Sequence, residues 1–418
     1  MLTPRILAVS LALAGTALAA PASATDGYIL HGTGAKAKGA GGVAIAMPQE
    51  ATAIASNPAT ATALGHEVAI GVDIFVPDRG ASISGNGAGL NGDYSGNGAN
   101  PFVLGDAAWV RPVSDTVSLG LAVVGNGGMN TVYEDNPFAA FGGTGDAGVD
   151  LKQVTVLPTV AVEVAPGHSL GISGIGLVQT FRATGLQPFA GFSADPAAFT
   201  DRGTDWSFGA GVRVGYYGEI GDRLAVGAFY QSKIKAGAFD KYAGLFADGG
   251  DFDVPASWGA GVSVKATDRL TLGADYKRIE YSGVNSVGNS VASLFAGVPF
   301  GAEDGPGFGW EDISVVKVGA VYRASDTLAL RAGYGRAENP VPAGETLLNI
   351  LAPGVVEDHF TAGASVRLSP SMELSAHVLH APKNAVAGSG SIPMAFGGGE
   401  ADIRLAETSV GLALGFSL

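Results

Sequence analysis

Hydrophobic and polar residues alternate with a period of two along most of this chain. At the C-terminus Val410, Leu412, Leu414, Phe416 and Leu418 share one face, and Ser409, Gly411, Ala413, Gly415 and Ser417 the other. Trp206, Phe208, Ala210, Val212 and Val214 oppose Ser207, Gly209, Gly211, Arg213 and Gly215 in the same way. The pattern recurs over 328–335 and 360–368. Period-two alternation predicts β-strands, because successive side chains point to opposite faces. The second face is mostly glycine and serine with single long basic residues, while the first is apolar with aromatics near its ends. That division suits a lipid-facing wall around a polar lumen.

Fourteen strands are predicted, near 67–76, 102–112, 117–125, 150–164, 169–181, 205–219, 223–235, 254–265, 269–281, 311–323, 327–336, 358–368, 371–380 and 403–418. Very short turns such as Ser114-Asp115, Gly221-Asp222, Thr267-Asp268 and Ser325-Asp326 join alternate pairs. The other connections are long, among them 182–204, 282–310 and 381–402. This alternation predicts an all-β fold: an up-and-down antiparallel transmembrane barrel with periplasmic turns, extracellular loops and both termini in the periplasm. Closure removes the edges that so apolar a sheet would otherwise expose.

The first 66 residues do not alternate. Arg5 followed by the apolar run Ile6–Ala20 and Ala22-Ser23-Ala24 reads as a signal peptide over 1–24, cleaved after Ala24. Residues 25–66, rich in glycine and alanine, are too apolar for a solvated tail. They are expected to plug the lumen, leaving 67–418 as the barrel and the outer membrane of a Gram-negative cell as its location. Composition agrees. No apolar run is long enough for a membrane-crossing helix, yet 47% of residues are hydrophobic and only 15% charged, well below the quarter usual in soluble domains. The absence of cysteine excludes disulfides and thiolate metal sites, and a net charge of −14 argues against nucleic acid as a partner.

Candidate chemistry lies in loops and lumen. Leu186, Phe189, Phe192 and Phe199 in one loop, and Phe239, Tyr242, Leu245 and Phe246 in the next, would line an apolar cleft or simply pack the loops together. Arg213, Lys233, Lys265, Lys277, Lys317, Arg331 and Arg367 point inward by alternation, and Arg182 stands above a strand end. Each would meet a ligand carboxylate or pair with lumen acids such as Asp275 and Glu373. Asp248, Asp251 and Asp253 lack the full ligand series of a calcium loop. No ordered Ser/His/acid set supports an enzyme, although His168 and Ser169 are neighbours. No cofactor or metal is expected. A water-filled porin is the main alternative to a channel for hydrophobic solutes.

Three segments resemble the FadL-type outer-membrane transporters of long-chain fatty acids and aromatic hydrocarbons. They are Gly27-Tyr28-Ile29-Leu30 with the later Asn57-Pro58-Ala59, then Pro255-Ala256-Ser257-Trp258, and then Gly309-Trp310-Glu311-Asp312 through Gly333-Tyr334-Gly335-Arg336 to Asn339-Pro340-Val341-Pro342. The resemblance implies a hatch bearing Asn57, Pro58 and Ala59, and passive uptake of a hydrophobic ligand. It implies capture by the loops, a pocket near Tyr28, Leu30, Arg182 and Lys317, and sideways exit at the third strand. There Gly125-Asn126-Gly127-Gly128 would open the wall, although the residues alone read more readily as a strand end and turn. Outer-membrane lipid, lipopolysaccharide and the barrel-assembly machinery are the implied partners. Where the family commonly carries an arginine this chain has Val315, with Lys317 two residues on, so a neutral hydrocarbon fits as well as a fatty acid.

Overall fold

A sheet of alternating strands with one fully apolar face cannot leave its first and last strands unpaired in lipid, and here they pair with each other. The computed structural model describes residues 25–418; the predicted leader and its cleavage point lie outside the described residues. Fourteen antiparallel strands form a closed barrel. In chain order they are β1 (Glu67–Ser84), β2 (Phe102–Pro112), β3 (Val117–Asn126), β4 (Ala147–Ala165), β5 (His168–Thr184), β6 (Asp205–Ile220) and β7 (Leu224–Gln231). They continue as β8 (Ser257–Lys265), β9 (Leu270–Ile279), β10 (Ile313–Arg323), β11 (Leu328–Ala337), β12 (Asp358–Ser369), β13 (Met372–Val386) and β14 (Glu400–Ser417). Closure is made by β14 on β1, from Ser417↔Glu67 to Glu400↔Ser84.

Each predicted strand is present, and the predicted faces hold. Phe208, Ile74, Phe360 and Leu412 stand on the outside, each more than half exposed in the isolated chain. Several strands run further than the alternation suggested at the long-loop end. β1 continues through Pro77 to Ser84, and β13 passes a register shift between Ala381 and Asn384 to reach Val386. These extensions carry polar and irregular residues that period-two reading cannot follow.

Residues 25–64 run inside the barrel as a two-stranded ribbon (Thr25–Asp26 with Ile29–Leu30), one helical turn (Ala35–Gly39) and two 3₁₀ turns (Ala51–Ala55 and Pro58–Ala63). The inward glycines of the wall exist for this segment. A Cβ added at Gly171 would overlap Pro58 and Ala59, at Gly215 it would meet Asn57, and at Gly319 and Gly333 it would strike Ala40 and Gly41. Only a wall without side chains at those positions lets the two backbones approach so closely.

Polar anchors complete the fit. Asp275 accepts from the amides of Ala44 (2.8 Å) and Ile45 (3.0 Å), and Ser263 donates to the Ala46 carbonyl (2.7 Å). Glu373 pairs with Lys36 of the internal segment at 2.5 Å, and Arg331 donates to Gln49 at 2.7 Å. Two of the lumen acids expected to pair with wall cations therefore hold the internal segment instead. Each buried bond contributes about 1 kcal/mol, and losing one partner costs more than that.

Candidate functional site

The Asn57-Pro58-Ala59 turn sets the floor of the site. The Asn57 side chain accepts from Ala59 N (3.1 Å) and donates to the carbonyls of Ile45 (2.8 Å) and Tyr216 (2.9 Å). It thereby caps the second 3₁₀ turn, ties two parts of the internal segment together and fixes both to β6. Above this floor lies an internal pocket of about 150 Å³, between the segment and the inner faces of β3 to β10.

The pocket lining combines apolar Leu30, Ile45, Leu157, Ile175, Val254 and Val315 with the cationic side chains of Arg213, Lys277 and Lys317. The ammonium of Lys317 lies 2.8 Å from Asp26 Oδ2 and also bonds the His31 carbonyl, while Lys277 reaches the same carboxylate oxygen at 3.4 Å. Arg213 bonds Gln231 and stacks 5.6 Å from the Phe229 ring centre. Its Nε has no hydrogen-bond partner, and among the described residues no carboxylate comes within 4.0 Å of its guanidinium. Two lysines thus share Asp26, Asp275 of the same lining is taken up by the Ala44 and Ile45 amides, and the arginine has no acid partner, so three cations face two carboxylates in the pocket.

Asp26, His31 and His359 come close enough together to hold a metal ion. The geometry serves other ends. Both lysines occupy the Asp26 carboxylate, and the two imidazoles stack with centres 4.5 Å apart, whereas ligation needs each ring plane aimed at the ion. Burial, and then the Lys317 charge, push His31 down to about 3, so it stays neutral and its Nδ1 faces Asp26 at 3.2 Å.

At the long-loop end a second cavity, of about 40 Å³, is lined by Leu186, Phe189, Phe199, Leu245 and Phe246 together with Phe181 and Phe308. Phe239 and Tyr242 pack behind it, with centres 5.6 and 4.9 Å from the Phe181 ring, and Tyr242 Oη donates to the Gly203 carbonyl (2.7 Å). The predicted aromatics therefore both pack the loops and bound a cleft. Phe192 is partly exposed and meets Phe396 at 5.5 Å; Phe295 and Met394, exposed nearby, extend an apolar rim that strand patterning did not single out. Asp248 accepts from Asn285 Nδ2 (2.8 Å) and Asp253 from Ala236 N (2.7 Å), which fastens the loops to one another.

The third feature is a discontinuity in the wall. Pairing between β2 and β3 ends at Asp106↔Val124. On its other side β3 pairs with β4 as far as Asn126↔Gln153, and pairing resumes at Asn130↔Asp150. Four steps on one strand thus match three on the other, so Gly127–Met129 form a bulge. Gly128, at φ +54°, supplies the left-handed backbone it needs. Phe102–Gly105 of β2 are left without a strand partner on that edge. Behind the break lies a cavity of about 40 Å³ lined by Tyr28, Phe75, Arg79, Gly128, Asn130 and Glu407. Arg79 bonds the Asn130 carbonyl and Asn100 Oδ1 (2.7 Å) and lies 5.0 Å from the Phe102 ring centre. The sequence reading ends the first strand before Arg79 and so passes over it.

The ribbon at the start of the internal segment stands between the two cavities. Ile29 and Leu30 face the large pocket, and Gly27 and Tyr28 face the small one. Asn126 lines the large pocket and donates to the Tyr28 carbonyl (3.1 Å), joining the ribbon to the end of β3. Arg182 stands apart. It is exposed between buried Phe181 and Ala183, on the outer face, and does not reach the pocket.

Residues 11–387 match the profile of the family described as outer membrane protein transport protein (OMPP1/FadL/TodX). No curated protein matches the sequence significantly. Among solved structures, a Pseudomonas aeruginosa FadL homologue is similar with a TM-score of 0.71 at 17% identity, over 94% of this chain and 99% of that one. The P. putida toluene transporter TodX gives 0.67 at 17%, over 93% and 99%. The Ralstonia pickettii toluene transporter TbuX gives 0.63 at 18%, again over 93% and 99%.

Proposed function

The chain belongs to the OMPP1/FadL/TodX family of outer-membrane transport proteins, and from that premise we propose that it admits hydrophobic compounds bearing an anionic head, long-chain fatty acids foremost. The observation that carries this reading is the internal pocket, which sets apolar side chains beside three cations, with no carboxylate among the described residues paired to Arg213. An unpaired guanidinium in a dry site is costly unless a ligand carboxylate completes it. Val315, buried in the same wall, withholds the arginine that relatives commonly place there, and Arg213 supplies a charge from the opposite strands.

The route follows from the three cavities. An amphiphile leaves water in the aromatic loop cleft, where each CH₂ gains about 0.8 kcal/mol. It passes to the pocket above Asn57-Pro58-Ala59, and then past the Tyr28 ribbon toward the break between β2 and β3. Leaving sideways into the bilayer keeps the burial of the acyl chain, whereas release into periplasmic water would forfeit it. Transport is passive, and the internal segment acts as a hatch that denies water a straight path. A porin would need that lumen clear.

Titration of detergent-purified protein with oleate, toluene and a small sugar tests the proposal. Oleate should bind most tightly, and Arg213→Gln should weaken oleate while sparing toluene. Equal binding of toluene and oleate, unaffected by the substitution, would shift the reading to a neutral-hydrocarbon channel.

A further inference from the structure

Glu407 of β14 is a buried acid in the lining of the small cavity behind the wall break. It is 3% exposed, and among the described residues its only charged neighbour within 4.0 Å is His359 Nε2, at that limit. Both carboxylate oxygens instead face one residue: Thr25 N donates to Oε2 at 3.0 Å and Thr25 Oγ1 donates to Oε1 at 3.0 Å. Thr25 is itself buried. A carboxylate held away from water needs a compensating charge, and an ordinary backbone amide supplies only a dipole.

The sequence independently marks the bond before this residue. Ala22-Ser23-Ala24 has the small-x-small form that a signal peptidase cuts. We propose that cleavage after Ala24 makes Thr25 N the α-ammonium of the mature chain, and that this ammonium is the counter-ion of Glu407. Water adds across the Ala24–Thr25 peptide bond, the carboxylate leaves on Ala24, and the freed amine takes up a proton. With an ordinary α-amino pKa near 7.7–8.0 it is mostly charged at neutral pH even before pairing.

The consequence is that processing and hatch docking are one event chemically. A chain that retained residues before Thr25 would present a neutral amide to a buried carboxylate. The mature chain presents a charge, and it does so at the foot of the ribbon that parts the large pocket from the cavity behind the wall break. Glu407 is then a positioning residue for that ribbon, whatever the channel carries.

The test uses protein purified from outer membranes. Intact mass should place the first residue at Thr25. Reductive dimethylation of the α-amine should run slower in the folded barrel than in urea by a factor of about ten or more, because a buried amine reacts only through local opening. In Glu407→Gln the protection should fall to within about threefold of the unfolded rate. A mature chain starting at another residue, an α-amine labelled equally fast folded and unfolded, or full protection retained in the variant would each overturn the proposal. The mass and the folded-against-unfolded rates come from wild-type protein, so the proposal stays open to refutation even if the variant fails to assemble.

Discussion

Two seams of the barrel wall are built from the same kinds of residue and end differently. Between β9 and β10 the ladder is unbroken for ten pairs, from Leu270↔Tyr322 to Ile279↔Ile313, and the Arg278 side chain adds bonds to Ser314 and Glu338. Between β2 and β3 it stops after seven, at Asp106↔Val124, and a glycine bulge turns the third strand aside. An open edge in lipid exposes unpaired amides and carbonyls, so a barrel tolerates one only where something else attends to it. Here Arg79, Asn100 and Asn130 take up polar groups beside the break, and the Gly98 amide bridges to the Val132 carbonyl above it (3.1 Å). Family membership gives transport of hydrophobic compounds. The contrast between the seams is what the proposed sideways exit rests on.

The largest expected effect comes from abolishing the difference. Deleting Gly128 removes the extra residue of the bulge and lets β3 continue in register. Uptake of a radiolabelled fatty acid should then drop by about tenfold or more, while heat-modifiable mobility shows an assembled barrel, since bulges redirect a strand without holding the sheet together. Uptake at the wild-type rate would separate the break from transport. Next is Arg213→Gln. Loss of a charged hydrogen-bond partner is worth about 1.5–3 kcal/mol, so oleate affinity should fall roughly 10- to 100-fold, read by titration, with toluene binding within a factor of about two.

Gly215→Val presses a side chain against Asn57 and overpacks the hatch seat at a cost of about 1–3 kcal/mol. Planar-bilayer recordings should show brief ionic openings absent from the wild type. The smallest effect is expected at the closed seam. Arg278→Ala removes partly exposed ion pairs worth under about 1 kcal/mol, and uptake should be unchanged in the same assay.

Much of the fold was legible because a lipid-facing strand must alternate, and because turns of two or three residues leave no doubt about which strands are neighbours. Trp206 and Phe208 on one face of β6 and Arg213 and Gly215 on the other could be assigned from spacing alone. What those inward glycines meet could not. Gly171, Gly215 and Gly333 look like padding in the sequence, and their role appears only when Ala59, Asn57 and Gly41 from far upstream lie against them. The loop aromatics were readable as a cluster because they lie in two adjacent loops. Arg182 was misplaced relative to the pocket because one residue of register separates the inner from the outer face. Arg79 and Glu407 lie where alternation fades or where burial depends on a distant partner, and no local signal marks either.

Sideways exit through the break is tested most directly by a reversible strap across it. A continued ladder would place Val103 opposite Gly127, and the natural chain has no cysteine to interfere. In Val103→Cys/Gly127→Cys, oxidation confirmed by mass should suppress fatty-acid uptake by about tenfold or more, and reductant should restore it, because the strap draws β2 and β3 together where pairing now fails. Uptake that is the same before and after complete oxidation would contradict the account.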